Sequence, residues 1–172
     1  MSNMFSNNAN HVHRAYLALG SNLGDPMLYI NNAITSIKKL EFSSFIKVSS
    51  FYRTKPLGGL SQNDYLNAVV AIDTQLTPIE LLNRTQAIEL QQGRVRTKER
   101  FASRTLDIDI LLYGNSIMND ERLTLPHHGL LEREFMLFPL FDIAPGLILP
   151  NGEPLADIIR KTDKNGMVLW SD

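Results

Sequence analysis

Two carboxylates, Asp107 and Asp109, stand two residues apart in a run otherwise made of leucine and isoleucine, from Leu106 to Leu112. On a strand, alternate residues share a face and the chain rises about 3.3 Å per residue, so the two Cα atoms lie roughly 6.6 Å apart on one side of a sheet. Carboxylates at that spacing repel unless a cation sits between them. Magnesium suits the place, because it takes oxygen ligands and keeps positions for substrate phosphates. Two ions about 4 Å apart, flanking a phosphoryl group in transfer, suit it as well. The plain alternative is a solvated strand face, since Asp-x-Asp is a common pattern. Against it, Asp is disfavoured in strands, and this pair comes after a basic segment.

That segment, 93–104, carries Arg94, Arg96, Lys98, Arg100 and Arg104 against one acid, Glu99. Guanidinium forks grip phosphate oxygens in pairs, and a basic loop beside a carboxylate–metal site suits a nucleoside triphosphate. Most charge runs are simply solvated loops, and a nucleic-acid patch is a further alternative, which the net charge of -1 disfavours. Neither Gly-x-x-x-x-Gly-Lys-Ser/Thr nor Gly-x-Gly-x-x-Gly occurs, so phosphates must be held by side chains and metal. With no cysteine and no Ser-His-Asp arrangement, no covalent intermediate is indicated. His127, next to His128, is either a phosphate donor or part of a structural turn. Tyr65 and Phe135 either pack in a core or stack on a flat heterocycle.

Periodicity indicates the elements that position these residues. A first strand is expected over 15–20. Asp25-Pro26 caps a helix with Met27, Ile30, Ile34 and Ile37 on its inner face. A second strand covers 45–53, succeeded by a turn-rich loop, 55–62. A third strand, 65–73, puts Leu66, Ala68, Val70 and Ile72 on one face and Tyr65 and Asn67 on the other. Thr77-Pro78-Ile79-Glu80 is a capping box opening a helix to about residue 92, with Gly93 at its end. The strand 106–113 places Leu106, Ile108, Ile110 and Leu112 opposite Asp107 and Asp109. A hairpin-like stretch covers 114–125, a helix interrupted or re-aimed near Pro139 covers 135–143, and a short helix covers 154–161. The order strand, helix, strand, strand, helix, strand is the ferredoxin-like βαββαβ core of an α+β fold, with extra strands and C-terminal helices. Helices are expected on one sheet face, leaving the other open to a ligand.

At 172 residues and 44% hydrophobic content the chain suits a single domain, 15–172, preceded by a polar tail, 1–14, read as frayed or vector-derived. The absence of cysteine, of a signal-like stretch and of any apolar run near 20 residues gives the expectation of a soluble, cytoplasmic protein outside the membrane; the net charge of -1 disfavours nucleic acid, and a monomer is expected.

The stretch 100–111, Arg-Phe-Ala-Ser-Arg-Thr-Leu-Asp-Ile-Asp-Ile-Leu, resembles the signature of the 6-hydroxymethyl-7,8-dihydropterin pyrophosphokinase family. Leu-Gly-Ser-Asn-Leu-Gly at 19–24, Ser-Phe-Tyr-Arg-Thr at 50–54, Tyr-Leu-Asn-Ala at 65–68, Glu-Leu-Gln-Gln-Gly-Arg at 89–94 and Leu-Pro-His at 125–127 agree with it in order. The resemblance implies transfer of pyrophosphate from Mg-ATP to 6-hydroxymethyl-7,8-dihydropterin, with release of AMP, in folate synthesis. It implies two Mg²⁺ ions on Asp107 and Asp109, and Arg94 and Arg104 stabilising the transferring group. Tyr65 and Phe135 would sandwich the pterin, and Thr54, Lys55, Leu57 and Asn67 would line its polar edge. Gln86, Glu89, Arg96, Ile110, Arg122, Thr124, His127 and Arg133 would bind ATP. Phe101, Lys55 and Thr97 depart from the family's usual residues. A phosphodiesterase using the same acids, and a non-catalytic ligand-binding domain on this scaffold, are the competing readings.

Overall fold

The computed structural model describes residues 11–56, 63–93 and 105–171. Strands β1 (His13–Ser21), β2 (Ser43–Val48), β3 (Tyr52–Thr54), β4 (Tyr65–Thr74), β5 (Asp107–Tyr113) and β8 (Val168–Leu169) form one antiparallel sheet. Its order is β5-β1-β4-β3-β8, with β2 also on β4. β6 (Met118–Asn119) and β7 (Thr124–Leu125) form a separate two-stranded ribbon. Strands 1, 2/3, 4 and 5 reproduce the expected split βαβ pattern. The expected second strand divides in two, however, because Ser49 leaves the ladder's regular pattern: its Oγ accepts from Val69 N–H while its own N–H donates to Val69 O.

Helix α1 (Pro26–Lys38) begins on Asp25, whose side chain accepts from Leu28 N–H, and buries Ile30, Ala33, Ile34 and Ile37. Helix α2 (Pro78–Gln91) begins on the anticipated capping box, with Thr77 and Glu80 satisfying each other's backbone N–H groups. Both helices pack on the sheet face carrying Ala15, Leu17, Leu19, Leu66, Val70, Ile72, Ile108 and Ile110.

The opposite face is not left open. Helices α3 (Glu134–Ile143) and α4 (Leu155–Arg160) cover part of it, burying Met136, Leu137, Leu140, Leu155 and Ile158 against Tyr16, Ala18, Val69 and Ala71. Helix α3 runs unbroken through Pro139. The proline costs it only the bond that an N–H at that position would give to the Phe135 carbonyl. Among the described residues no helix is long and apolar enough to cross a membrane.

One further correction concerns β5. The β1–β5 register slips by a residue, pairing Leu17 with Ile110 and Tyr16 with Leu112. This bulge at Leu111 re-aims the rest of the strand. Leu111 and Leu112 join the α3–α4 side, and Tyr113 turns to the α1–α2 side. Asp107 and Asp109 precede the bulge and keep the expected alternation. The short strand β8 was not anticipated from sequence.

Reciprocal capping fixes the Glu80 carboxyl below its ordinary pKa, chiefly through the Thr77 backbone N–H and then the Thr77 hydroxyl. A depressed carboxyl stabilises the fold above its ordinary value of 4.5 and loses that contribution as pH falls through its lowered value. Thr77→Ala removes the hydroxyl that caps Glu80 N–H and should destabilise the protein by about 1 kcal/mol at neutral pH, a usual capping loss; the part that runs from the Thr77 hydroxyl through the Glu80 carboxylate should be lost in acid. Urea unfolding at pH 7 and pH 3 checks both, and equal differences at the two pH values would refute the coupling.

Candidate active site

The uncovered part of the α3–α4 face is a cavity of about 310 Å³, a size that suits a small heterocyclic ligand. Its walls include Thr54, Lys55, Tyr65, Asn67, Asp107, Asp109, His127, Arg133 and Phe135. Nine residues singled out from sequence are therefore brought together from β3 and the residue after it, β4, β5, the segment leading into α3 and the first turn of α3.

Strand register explains how. Gly20 of β1 pairs with Asn67 on one side and Asp107 on the other, and Ala18 pairs with Val69 and Asp109. Residues directly opposite in an antiparallel pair share a face, so a row Asp107–Gly20–Asn67 crosses the sheet. Strands lie about 4.8 Å apart, which sets the acid and the amide roughly 10 Å from each other. Between them the floor is made by the two smallest side chains of β1. A Cβ at Gly20 would lie 3.1 Å from Asn67 Oδ1 and 3.8 Å from the Tyr65 ring, so glycine keeps that floor clear.

The β4 side holds flat and polar groups. Asn67 is 7% exposed and Thr54 6%, and the Asn67 amide donates to Thr54 Oγ1 at 2.6 Å. This bond fixes the amide's orientation in a buried setting. Tyr65 and Phe135 line the same space. The β5 side holds charge. His127 Nε2 lies 3.8 Å from Asp109 Oδ1. Because His127 Nδ1 accepts from Gly129 N–H at 3.0 Å, the neutral ring carries its proton on Nε2, facing the acid. Gly129 also lets the Arg133 side chain lie close: a Cβ there would collide with Arg133 Nε.

Glu89 does not line the cavity. It is 5% exposed, and its carboxylate accepts from Ile108 N–H at 2.9 Å, so it holds the residue between the two aspartates. Ile110 is buried on the α1–α2 side. Arg122 and Gln86 also lie outside the cavity. Arg122 Nη2 donates to Asn83 Oδ1 at 2.7 Å and Gln86 Oε1 at 3.2 Å, tying the turn before β7 to α2, with Thr124 exposed on β7. Leu57, Arg94, Arg96 and Arg104, with Thr97 and Phe101, lie outside the described residues.

Sequence reasoning missed Ala18, Leu19, Gly20, His128 and Met136 in the wall. Small or apolar residues carry no chemical signal; only the register reveals them. It also missed the part played by Ser21 and Asn22. Both are fully buried. Ser21 Oγ donates to Thr105 O at 2.5 Å and Asn22 Nδ2 to Asn63 O at 3.2 Å, so adjacent residues anchor the chain on either side of the cavity.

Magnesium fits this arrangement by donor chemistry. Two hard carboxylates face one space, and oxygen donors of this kind suit an ion that also takes ligands from phosphate and water.

A family model for 7,8-dihydro-6-hydroxymethylpterin-pyrophosphokinase (HPPK) matches residues 16–145. The chain belongs to the HPPK family. It is 47% identical over 154 residues to the 2-amino-4-hydroxy-6-hydroxymethyldihydropteridine pyrophosphokinase of Haemophilus influenzae, covering 90% of this chain and 96% of that one. It is 44% identical to the enzyme of that name from Pseudomonas aeruginosa, over 91% and 96% of the two chains. Among solved structures, wild-type HPPK-DHPS of Plasmodium falciparum with pterin and p-hydroxybenzoate superposes with a TM-score of 0.69 at 15% identity. That match covers 88% of this chain and 42% of the other, so this HPPK chain spans about two fifths of that protein's length and shares its fold.

Gly20→Ala should push Asn67 by a few tenths of an ångström and weaken binding of a pterin severalfold, with the fold retained. Calorimetry with 6-hydroxymethylpterin measures this, and undiminished affinity would show that Gly20 does not shape the heterocycle side.

Proposed function

We propose a division of labour for the family's reaction. The chain is a pyrophosphokinase of folate biosynthesis. It transfers the β,γ-pyrophosphate of ATP to the hydroxymethyl oxygen of 6-hydroxymethyl-7,8-dihydropterin. The pterin oxygen bonds to the β-phosphorus, the bond from that phosphorus to the α-phosphate oxygen breaks, the hydroxyl proton passes to solvent, and AMP departs.

The observation that carries the assignment of roles is the cavity's two-sided construction. Tyr65 and Phe135 are the aromatic walls on which a flat pterin stacks. The Asn67 amide, held by Thr54, offers complementary polar atoms to its edge, Lys55 lines the same side, and we assign Leu57 to pterin binding as well. Across the small floor, Asp107 and Asp109 would hold magnesium, and with ATP bound they would hold two ions. Magnesium there would neutralise the phosphates and favour loss of the proton from a hydroxyl drawn near it. The Nε2–H of His127 donates to a phosphate oxygen beside the acids, and Arg133 adds positive charge at the same wall. Arg94 and Arg104 stabilise the charge that develops on the transferring group, and Arg96 grips phosphate.

Gln86, Arg122 and Thr124 extend the nucleotide side past β5, with Ile110 contributing backbone and Glu89 acting through Ile108. ATP as co-substrate argues for a cytoplasmic setting. We read residues 15–172 as one domain working as a monomer.

Incubating the protein with Mg-ATP and 6-hydroxymethyl-7,8-dihydropterin should yield AMP in step with pterin consumption. ATP breakdown that proceeds equally without the pterin would favour the phosphodiesterase reading instead. Asp109→Asn should cut turnover at least about a hundredfold while leaving far-UV circular dichroism and Tm close to wild type, because the residue lines a cavity and supports no core. Turnover within about threefold of wild type would remove Asp109 from the metal site.

A further inference from the structure

The heterocycle side of the cavity rests on a strand only three residues long, and the chain's C-terminal end holds that strand from behind. In β3, Thr54 pairs with Tyr65 and Arg53 with Leu66. Thr54 and Tyr65 face the cavity, so Arg53 faces the α1–α2 side with Leu66. There its guanidinium carbon lies 3.9 Å from the centre of the Trp170 ring. Its Nη1 lies 3.9 Å from Asp64 Oδ2, and its Nη2 donates to Ser171 O at 3.4 Å.

Trp170 is itself fixed. Its N–H donates to Phe51 O at 2.9 Å, its ring packs against the α1–α2 core, and the preceding strand β8 pairs with Tyr52 and Arg53 of β3. Arg53 immediately precedes Thr54, and Asp64 immediately precedes Tyr65. The guanidinium carried by the neighbour of Thr54 thus reaches the neighbour of Tyr65, and Thr54 and Tyr65 are register partners.

The contacts differ in weight. The Arg53–Asp64 pair is long and more than a third exposed on both sides, so it contributes little by itself. The Ser171 contact is near the outer limit of a hydrogen bond. The close stack on Trp170 is the strong element, and it keeps the guanidinium where the weaker contacts form.

We propose that Trp170, acting through Arg53, is a positioning residue for the heterocycle: it holds Thr54 and Tyr65 at the separation that a flat, hydrogen-bonding ring needs. This rests on the reading that this side of the cavity takes the pterin. The nucleotide side, two strands away, does not depend on it.

Steady-state kinetics of the full chain test it. Trp170→Ala should raise KM for the pterin about fivefold, the scale of losing one cation–π stack, with KM for ATP and kcat at saturating pterin within about twofold of wild type. Trp170→Phe keeps an aromatic face and should restore most of the loss. Arg53→Gln should match Trp170→Ala, and the double variant should be no worse than either single one. If Trp170→Ala fails to fold, Arg53→Gln and Trp170→Phe carry the same comparison.

Trp170 is the chain's single tryptophan, so its emission spectrum should shift in Arg53→Gln if the stack exists in solution. An unchanged pterin KM, a parallel rise in both KM values, a phenylalanine variant no better than alanine, or an unshifted emission spectrum would each overturn the proposal. A wild-type protein that makes no AMP would instead reject the pyrophosphokinase reading, and this inference with it.

Discussion

The site depends on one register: β1 lies between β4 and β5, paired so that Gly20 faces Asn67 on one flank and Asp107 on the other. Hydrogen bonds of the ladder fix that alignment, and a slip of one residue would send every side chain to the opposite face. In the observed alignment, like charges on β5 are held side by side at the sheet's edge. The small residues of β1 then separate those charges from the aromatic and amide groups of β4. Charged groups and flat, polar groups therefore occupy adjoining places on one sheet surface, and backbone geometry sets their spacing.

Support for this surface comes from the side it does not show. Glu89, buried in α2, accepts the Ile108 N–H between the two aspartates, and the α1–α2 core presses on Ile108 and Ile110. On the cavity side, α3 and α4 fill the sheet's far end and leave only the part near the β1 C-terminus open. Tyr52 ties that layer back to β3, its hydroxyl donating to Asp142 of α3 at 2.5 Å. Burial, and then this bond, raise the phenol's pKa above its ordinary value. The phenol thus stays protonated as the donor in the link between α3 and β3.

Much of this was legible in sequence because it rests on short-range rules. Alternation along β4 and the first half of β5 put Asn67 and Asp107 on the right face, and the capping signals at Asp25 and Thr77 start their helices where expected. The features that sequence could not show were decided by tertiary contact. The bulge at Leu111 arises in pairing with β1 and reverses the side of Leu112. The helices over the second face depend on Leu137, Leu140 and Leu155 meeting Tyr16 and Val69, and apolar periodicity does not say which face a helix covers. Glu89 carried a family motif, yet its position in the folded chain makes it a support for β5. Ala18 gave no sign, and Gly20 showed only as part of a family motif, because their contribution is the absence of side-chain volume.

The end of β1 carries one more consequence. Ser21 and Asn22 are successive residues, and one grips Thr105 while the other grips Asn63. The backbone entering the acidic strand and the backbone entering the amide strand are thereby fastened to a single peptide unit. Movement at the entrance of one strand is therefore restrained by the other, so the two flanks of the cavity keep a fixed spacing at that end.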